Sequence, residues 1–224
     1  MRERERTLLV VAVLVFALLA VAPIPASAEG FGDLYLGGAF TMDEDVTVRG
    51  LGLSVKEEVD FDTSFTLGGR IGYWFEGSPS FGIALDVSFF QPDGEDTGID
   101  ADITVVPISA LLMLRFPLQT SEEFPKGRLQ PYLGVGPGLF ITKVEQDVTL
   151  DSVVVGDFSD RTTDLGLDAR AGLAWLFQKN FAIFAEYRFT HVEPEVKDNV
   201  AGVTVEAETD LDTHYFLVGI SYRF

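Results

Sequence analysis

The stretch Leu165-Gly166-Leu167-Asp168-Ala169-Arg170-Ala171-Gly172-Leu173-Ala174-Trp175-Leu176-Phe177 decides the fold, because its side chains alternate between two dissimilar classes. Leu165, Leu167, Ala169, Ala171, Leu173, Trp175 and Phe177 make an apolar face; Gly166, Asp168, Arg170, Gly172 and Ala174 make the other. A period of two is that of a β-strand. An antiparallel sheet in water turns its large apolar face inward and shows polar residues to solvent. Here the second face is mostly Gly, Ala and single charges, a poor solvated surface but a suitable lining for the crowded interior of a narrow barrel.

The pattern recurs along the chain. Phe65, Leu67, Ile71, Tyr73 and Phe75 oppose Thr66, Gly68, Arg70 and Gly72, and Phe81, Ile83, Leu85, Val87 and Phe89 oppose Gly82, Ala84, Asp86 and Ser88. Eight such spans are expected, at 31–42, 62–75, 81–91, 103–117, 129–143, 163–177, 181–193 and 212–224. Their connections alternate in length, as in a barrel that crosses a membrane. The short ones, 76–80, 118–128 and 178–180, are neutral, with Glu76, Glu122 and Glu123 against Lys126, Arg128 and Lys179. The long ones, 43–61, 92–102, 144–162 and 194–210, hold 21 acidic residues against Arg49, Lys56, Arg161 and Lys197. Most of the net charge of −19 therefore sits at one end of the barrel. Tyr73, Phe75, Phe81, Phe116, Trp175, Phe177, Phe181 and Phe224 fall near the short turns and make a candidate interfacial girdle.

Composition narrows the function classes. The acidic balance has the wrong sign for tracking phosphates, which excludes nucleic acid as an expected partner. With no Cys and two His, thiolate metal sites and disulfide scaffolds are ruled out, and little is left for zinc. At the N-terminus, Arg2, Arg4 and Arg6 precede an apolar run from Leu8 to Ala22 and the ending Pro25-Ala26-Ser27-Ala28. That run is shorter than the ~20 residues a spanning helix needs, so residues 1–28 read as a secretory signal peptide and 29–224 as one barrel domain. Gly134-Val135-Gly136-Pro137-Gly138 lacks a following helix and a Lys-Ser/Thr pair, so it reads as lumen-facing or bend glycines rather than a phosphate loop.

Four segments carry a family resemblance: Asp33-Leu34-Tyr35-Leu36-Gly37-Gly38, Leu67-Gly68-Gly69-Arg70-Ile71-Gly72-Tyr73, Gln130-Pro131-Tyr132-Leu133-Gly134-Val135-Gly136-Pro137-Gly138 and Phe216-Leu217-Val218-Gly219-Ile220-Ser221-Tyr222-Arg223-Phe224. Through them the chain resembles the small outer-membrane β-barrels of Gram-negative bacteria, the eight-stranded OmpA-like and OmpX-like transmembrane domains. The resemblance implies an all-β, eight-stranded, antiparallel up-and-down barrel in the outer membrane. It also implies that Phe216, Val218, Ile220, Tyr222 and Phe224 form the signal read by the barrel-assembly machinery. An even strand number puts both termini with the short turns, expected on the periplasmic side, and the acidic loops outside.

By alternation, the inward residues include Asp33, Arg70, Asp86, Arg115, Asp168, Arg170, Glu186, Arg188 and Arg223, joined by Tyr35, Gln130, Tyr132 and Tyr215. Eight strands leave an interior that side chains fill, and a buried charge without a partner costs ~3–5 kcal/mol. A closed, charge-paired plug is thus expected, with a narrow path for ions or small molecules as the alternative. Some barrels resembling this one are enzymes acting on lipid A, but His191-Val192-Glu193 and His214-Tyr215-Phe216 do not reproduce the deacylase's His-x-Ser arrangement. The reading is therefore a non-enzymatic envelope protein without cofactors. Its expected surroundings are lipid and lipopolysaccharide, and full closure favours a monomer. Asp43-Glu44-Asp45 and Asp93-Gly94-Glu95-Asp96 offer oxygen ligands for divalent cations, yet neither has the twelve-residue calcium-loop pattern, and a solvated acidic surface explains them as well. The protein isolated from the envelope is expected to begin at Glu29; intact-mass spectrometry giving the mass of residues 1–224 would refute cleavage.

Overall fold

The computed structural model describes residues 29–41, 44–50, 53–59, 64–90, 101–150, 153–193, 195–200, 203–208 and 211–224, with side chains at 29–41, 64–90, 104–143, 162–193 and 211–224. The expected leader, 1–28, lies outside the described residues. Twelve strands follow in chain order: β1 (Glu29–Thr41), β2 (Glu44–Gly50), β3 (Leu53–Val59), β4 (Ser64–Phe75), β5 (Ser78–Phe90), β6 (Ala101–Arg115), β7 (Leu129–Leu150), β8 (Val153–Gln178), β9 (Phe181–Val192), β10 (Glu195–Val200), β11 (Val203–Glu208) and β12 (Leu211–Arg223).

Eight of them close an antiparallel barrel in the order β1-β12-β9-β8-β7-β6-β5-β4. Each expected span matches one barrel strand. The seam joins the first and last strands, from Phe31 opposite Arg223 to Thr41 opposite Thr213. Closure matters because a strand edge within hydrocarbon would leave backbone groups without partners. The remaining four strands form a second sheet, β10-β11-β2-β3. Three of the connections expected as loops are thus built partly of strand: β2–β3 lies within 43–61, β10–β11 within 194–210, and β7 and β8 run on to Leu150 and Val153. Short alternations such as Val46-Thr47-Val48 carry these hairpins, and the surrounding charge hides them in the sequence. Of the fourth connection, 92–102, residues 92–100 lie outside the described residues.

The wall is inverted relative to a soluble protein. Leu165 is 74% exposed on the outside, while Asp168 and Arg188 are fully buried inside. Leu34, Leu36, Ile83, Leu85, Leu133, Ile183, Val218 and Ile220 extend the apolar exterior around the barrel. A continuous apolar surface of this size requires a non-aqueous surrounding. Two aromatic belts bound it. Toward the short turns, Phe177 stacks on Phe181, Phe181 packs on Tyr222, and Tyr222 stacks on Phe224. Toward the hairpins, Phe40 meets Phe216 edge-on, and Tyr187 lies against Phe216 and His214. From Phe216 to Tyr222 or Phe224 the strand extends about 20–27 Å, which at a tilt of about 35–45° gives about 14–22 Å of height between the belts.

Inward aromatic rings occupy space that inward glycines leave on neighbouring strands. Tyr35 lies over Gly68, Phe31 over Gly72, Tyr132 over Gly172 and Phe184 over Gly219. A Cβ at any of these glycines would run into the facing ring. Gly172→Val is expected to weaken the barrel by about 1–3 kcal/mol through overpacking against Tyr132. A lower urea midpoint in lipid vesicles would show it, and an unchanged midpoint would contradict this fit.

Candidate functional site: the charged lumen

Every barrel strand sends polar side chains inward, and the lumen is organised by which of them meet. At its centre Arg170 on β8 donates from Nε to Asp168 Oδ1 and from Nη2 to Asp168 Oδ2, both at 2.9 Å. Its Nη1 also donates to Asp86 Oδ2 on β5 at 2.8 Å and to Glu186 Oε1 on β9 at 3.2 Å. One guanidinium therefore holds three carboxylates, which its planar fork of five donors allows.

Two further arginines complete the cluster. Arg70 on β4 donates from Nε to Asp33 Oδ2 at 2.9 Å and from Nη1 to Glu186 Oε2 at 2.7 Å. Arg188 on β9 donates to Ser88 Oγ at 2.7 Å, and its Nη2 lies 2.8 Å from Asp168 Oδ2. Hydroxyls add further bonds to the same carboxylates: Tyr35 donates to Asp86 at 2.8 Å, Tyr132 to Glu186 at 2.7 Å, and Ser109 to Asp168 at 2.6 Å. Register explains much of this. Asp33 stands opposite Arg70, and Arg70 opposite Asp86, on three consecutive strands. Arg170 and Arg188 are also directly opposite, a like-charge pairing that Asp168 relieves by contacting both.

A separate group lies toward the short turns. Arg115 binds Glu29 with both terminal nitrogens, at 3.0 and 2.8 Å, donates from Nε to the Pro79 carbonyl, and stacks on Trp74. Lys126 reaches Glu29 from the 118–128 connection at 3.0 Å. Arg223 lies over the Phe31 ring and forms no ion pair among the described residues. All nine charged residues proposed for the lumen from the sequence are buried there. Alternation read from the sequence leaves out Glu29, because it starts the first strand at Phe31. With it, five carboxylates face five guanidiniums.

Other expected sites lie elsewhere. His191 and His214 are on the outer wall: His191 Nδ1 is 2.7 Å from Asp212 Oδ1, and His214 Nδ1 is 2.6 Å from the Tyr187 hydroxyl. No histidine thus reaches the lumen to act as a base beside Ser88 or Ser109. Phe216, Val218, Ile220, Tyr222 and Phe224 point outward along β12. Asp43, Asp93, Glu95 and Asp96 lie outside the described residues, as do the side chains of Glu44 and Asp45. Among the described residues, no cluster of three His, Asp or Glu is placed to hold a metal.

The family model of the outer membrane protein beta-barrel domain matches residues 14–224. Among solved structures, the outer membrane protein OprG from Pseudomonas aeruginosa is similar at 17% identity over 88% of this chain and 97% of that one, with a TM-score of 0.64. Neisserial surface protein A is similar at 16% identity over 89% and 98%, with a TM-score of 0.49. The outer membrane protease OmpT from Escherichia coli is similar at 10% identity over 91% and 99%, with a TM-score of 0.43. At such identities the likeness is one of fold. No curated protein sequence matches the chain.

Arg170→Met removes the hub and leaves Asp86, Asp168 and Glu186 facing one another. The expected loss is about 3–5 kcal/mol of barrel stability, against under about 0.5 kcal/mol for Lys179→Ala at the surface. Equal denaturation midpoints for the two variants would show that the cluster does not hold the wall together.

Proposed function

The chain belongs to the outer membrane protein beta-barrel domain family, and from that membership we propose a non-enzymatic scaffold of the outer membrane whose lumen is closed and whose acidic hairpins are displayed outside the cell. The Arg170 cluster is the observation that carries this reading. Its members come from β1, β4, β5, β6, β7, β8 and β9, so the contacts span the lumen from wall to wall. A permeating ion would have to displace several of these charge-assisted bonds, each worth ~1.5–3 kcal/mol.

The ends of the barrel support an orientation. Short turns and both barrel termini share one end, which fits the periplasm, and the hairpins then face outward. At that outer surface the carboxylates of 43–61, 92–102, 144–162 and 194–210 would meet lipopolysaccharide, with divalent cations as the bridging partner that two anionic surfaces require. The outward row Phe216, Val218, Ile220, Tyr222 and Phe224 lies on the strand that closes the seam, where an assembly machinery would engage it. Each barrel strand already has two neighbours, which supports a monomer. Against catalysis stands the placement of both histidines on the outer wall, away from the buried hydroxyls.

Purified protein, shown to be folded by its heat-dependent migration on gels, is expected to pass no steady current in a planar bilayer. A steady current in the wild type that changes in Arg70→Ala or Arg115→Ala would replace the closed scaffold with a narrow channel.

A further inference from the structure

Seven Lys and Arg residues lie on the eight barrel strands, and five of them, Arg70, Arg115, Arg170, Arg188 and Arg223, are buried in the lumen. The other two are Lys143 on β7 and Arg161 on β8. Their odd-numbered parity is that of the outward Leu133 and Val135 on β7 and of the outward Leu165 and Leu167 on β8, with no register shift between. Both therefore occupy outward positions, and Lys143 is exposed. The register sets the two directly opposite each other, with Thr104 of β6 on the other side of Lys143. Like charges directly opposite repel across a strand pair. A phosphate seated between them turns that repulsion into attraction, because its oxygens accept from an ammonium and a guanidinium together.

The height of the pair on the wall points to a lipid as the source of that phosphate. On β7 the outward apolar row gives way after Ile141, and on β8 after Leu165. Lys143 and Arg161 thus stand about 7 Å and about 13 Å along their strands beyond the apolar band, at the level of lipid headgroups. Asp102 and Glu145, opposite each other, take the next outward positions on β6 and β7, farther from the bilayer. The cations therefore lie between these carboxylates and the lipid. Below the pair the wall carries a groove of about 500 Å³, where Ala169 and Ala171 leave space between Leu133 and Val135 on one side and Tyr187 and Phe189 on the other. From Lys143 down to Val135 is about 19–22 Å of height at a tilt of about 35–45°. Half a bilayer with its headgroups measures about 20–22 Å, so an acyl chain below a phosphate at the pair reaches the groove.

We infer that Lys143 and Arg161 form a site on the outer wall for the phosphate of an outer-leaflet glycolipid, with an acyl chain of that lipid lying along the groove over Ala169 and Ala171. The contact is direct, cation to phosphate, and needs no divalent ion, unlike the bridging proposed for the acidic hairpins. It rests on the reading that the hairpins face the outer leaflet.

Lipid A, which carries both phosphates and acyl chains, is the probe. Native mass spectrometry of the folded barrel, released from micelles containing lipid A and EDTA, is expected to show bound lipid A on the wild type. The joint variant Lys143→Gln, Arg161→Gln is expected to bind it about tenfold or more weakly. Lys143→Arg, which keeps the charge, is expected to bind as the wild type does, and so is Lys179→Gln at the short-turn end. Dephosphorylated lipid A is expected to bind the wild type as weakly as intact lipid A binds the joint variant. If the joint variant does not fold, Lys143→Gln alone serves, with a smaller loss in the same direction. Equal retention by the wild type and a folded variant lacking the charge would overturn the site, and so would equal retention of the phosphorylated and dephosphorylated lipids. Displacement of lipid A by millimolar inorganic phosphate would reveal a site for the free ion and overturn the lipid. Binding to the purified barrel does not depend on which way the hairpins face in the cell, and protease cleavage of the hairpins on intact cells reads that orientation separately.

Discussion

The width of an eight-stranded barrel is the constraint on which the rest of this structure depends. Too narrow for a free aqueous core, the lumen must be filled by side chains, and any charge inside must find its partner there. Arg170 meets that demand by holding Asp86, Asp168 and Glu186 together. The inward glycines follow from the same lack of space, since Tyr35, Phe31, Tyr132 and Phe184 fit only where the facing strand has no side chain. Lipid outside supplies no comparable specificity, because one apolar residue serves nearly as well there as another. Unique packing is therefore written on the inner face.

The polar core also joins distant parts of the chain. Arg70 and Glu186 are 116 residues apart in sequence and sit on strands separated by β1 and β12 in the barrel order. Arg188 and Ser88 are 100 apart. Neighbouring strands are held by backbone bonds, which any register of the same parity could form. Contacts across the lumen depend on one register for all strands together, so they select the observed pairing among the slipped alternatives.

How far the sequence could be read follows from this geometry. A strand has only two faces, so alternation assigns Asp33, Arg70, Asp86 and Arg170 to the lumen once the apolar face is known. It cannot say that Arg70 meets Glu186, because that depends on how the sheet curls. Glu29 shares the odd-numbered parity of Phe31, Asp33 and Tyr35, and extending the alternation by two residues would have found it. Phe124 offers no such signal. In Ser121-Glu122-Glu123-Phe124-Pro125-Lys126-Gly127 there is no period, and only tertiary contact shows that Phe124 turns inward. The outer hairpins were obscured for another reason: their alternation is brief and interrupted by like charges, which favour solvated loops in any local reading.

Those hairpins use their few cations in a telling way. β10–β11 and β2–β3 join edge to edge, with Glu206 on β11 opposite Arg49 on β2 and opposite Lys197 on β10. Two of the four basic residues in the long connections thus share register with one acidic position of the second sheet. Wall and lumen impose strict rules, one apolar and one charge-paired, while the hairpins need only backbone pairing to persist. The sequence is freest in the hairpins, which is why the barrel is legible residue by residue and they are not.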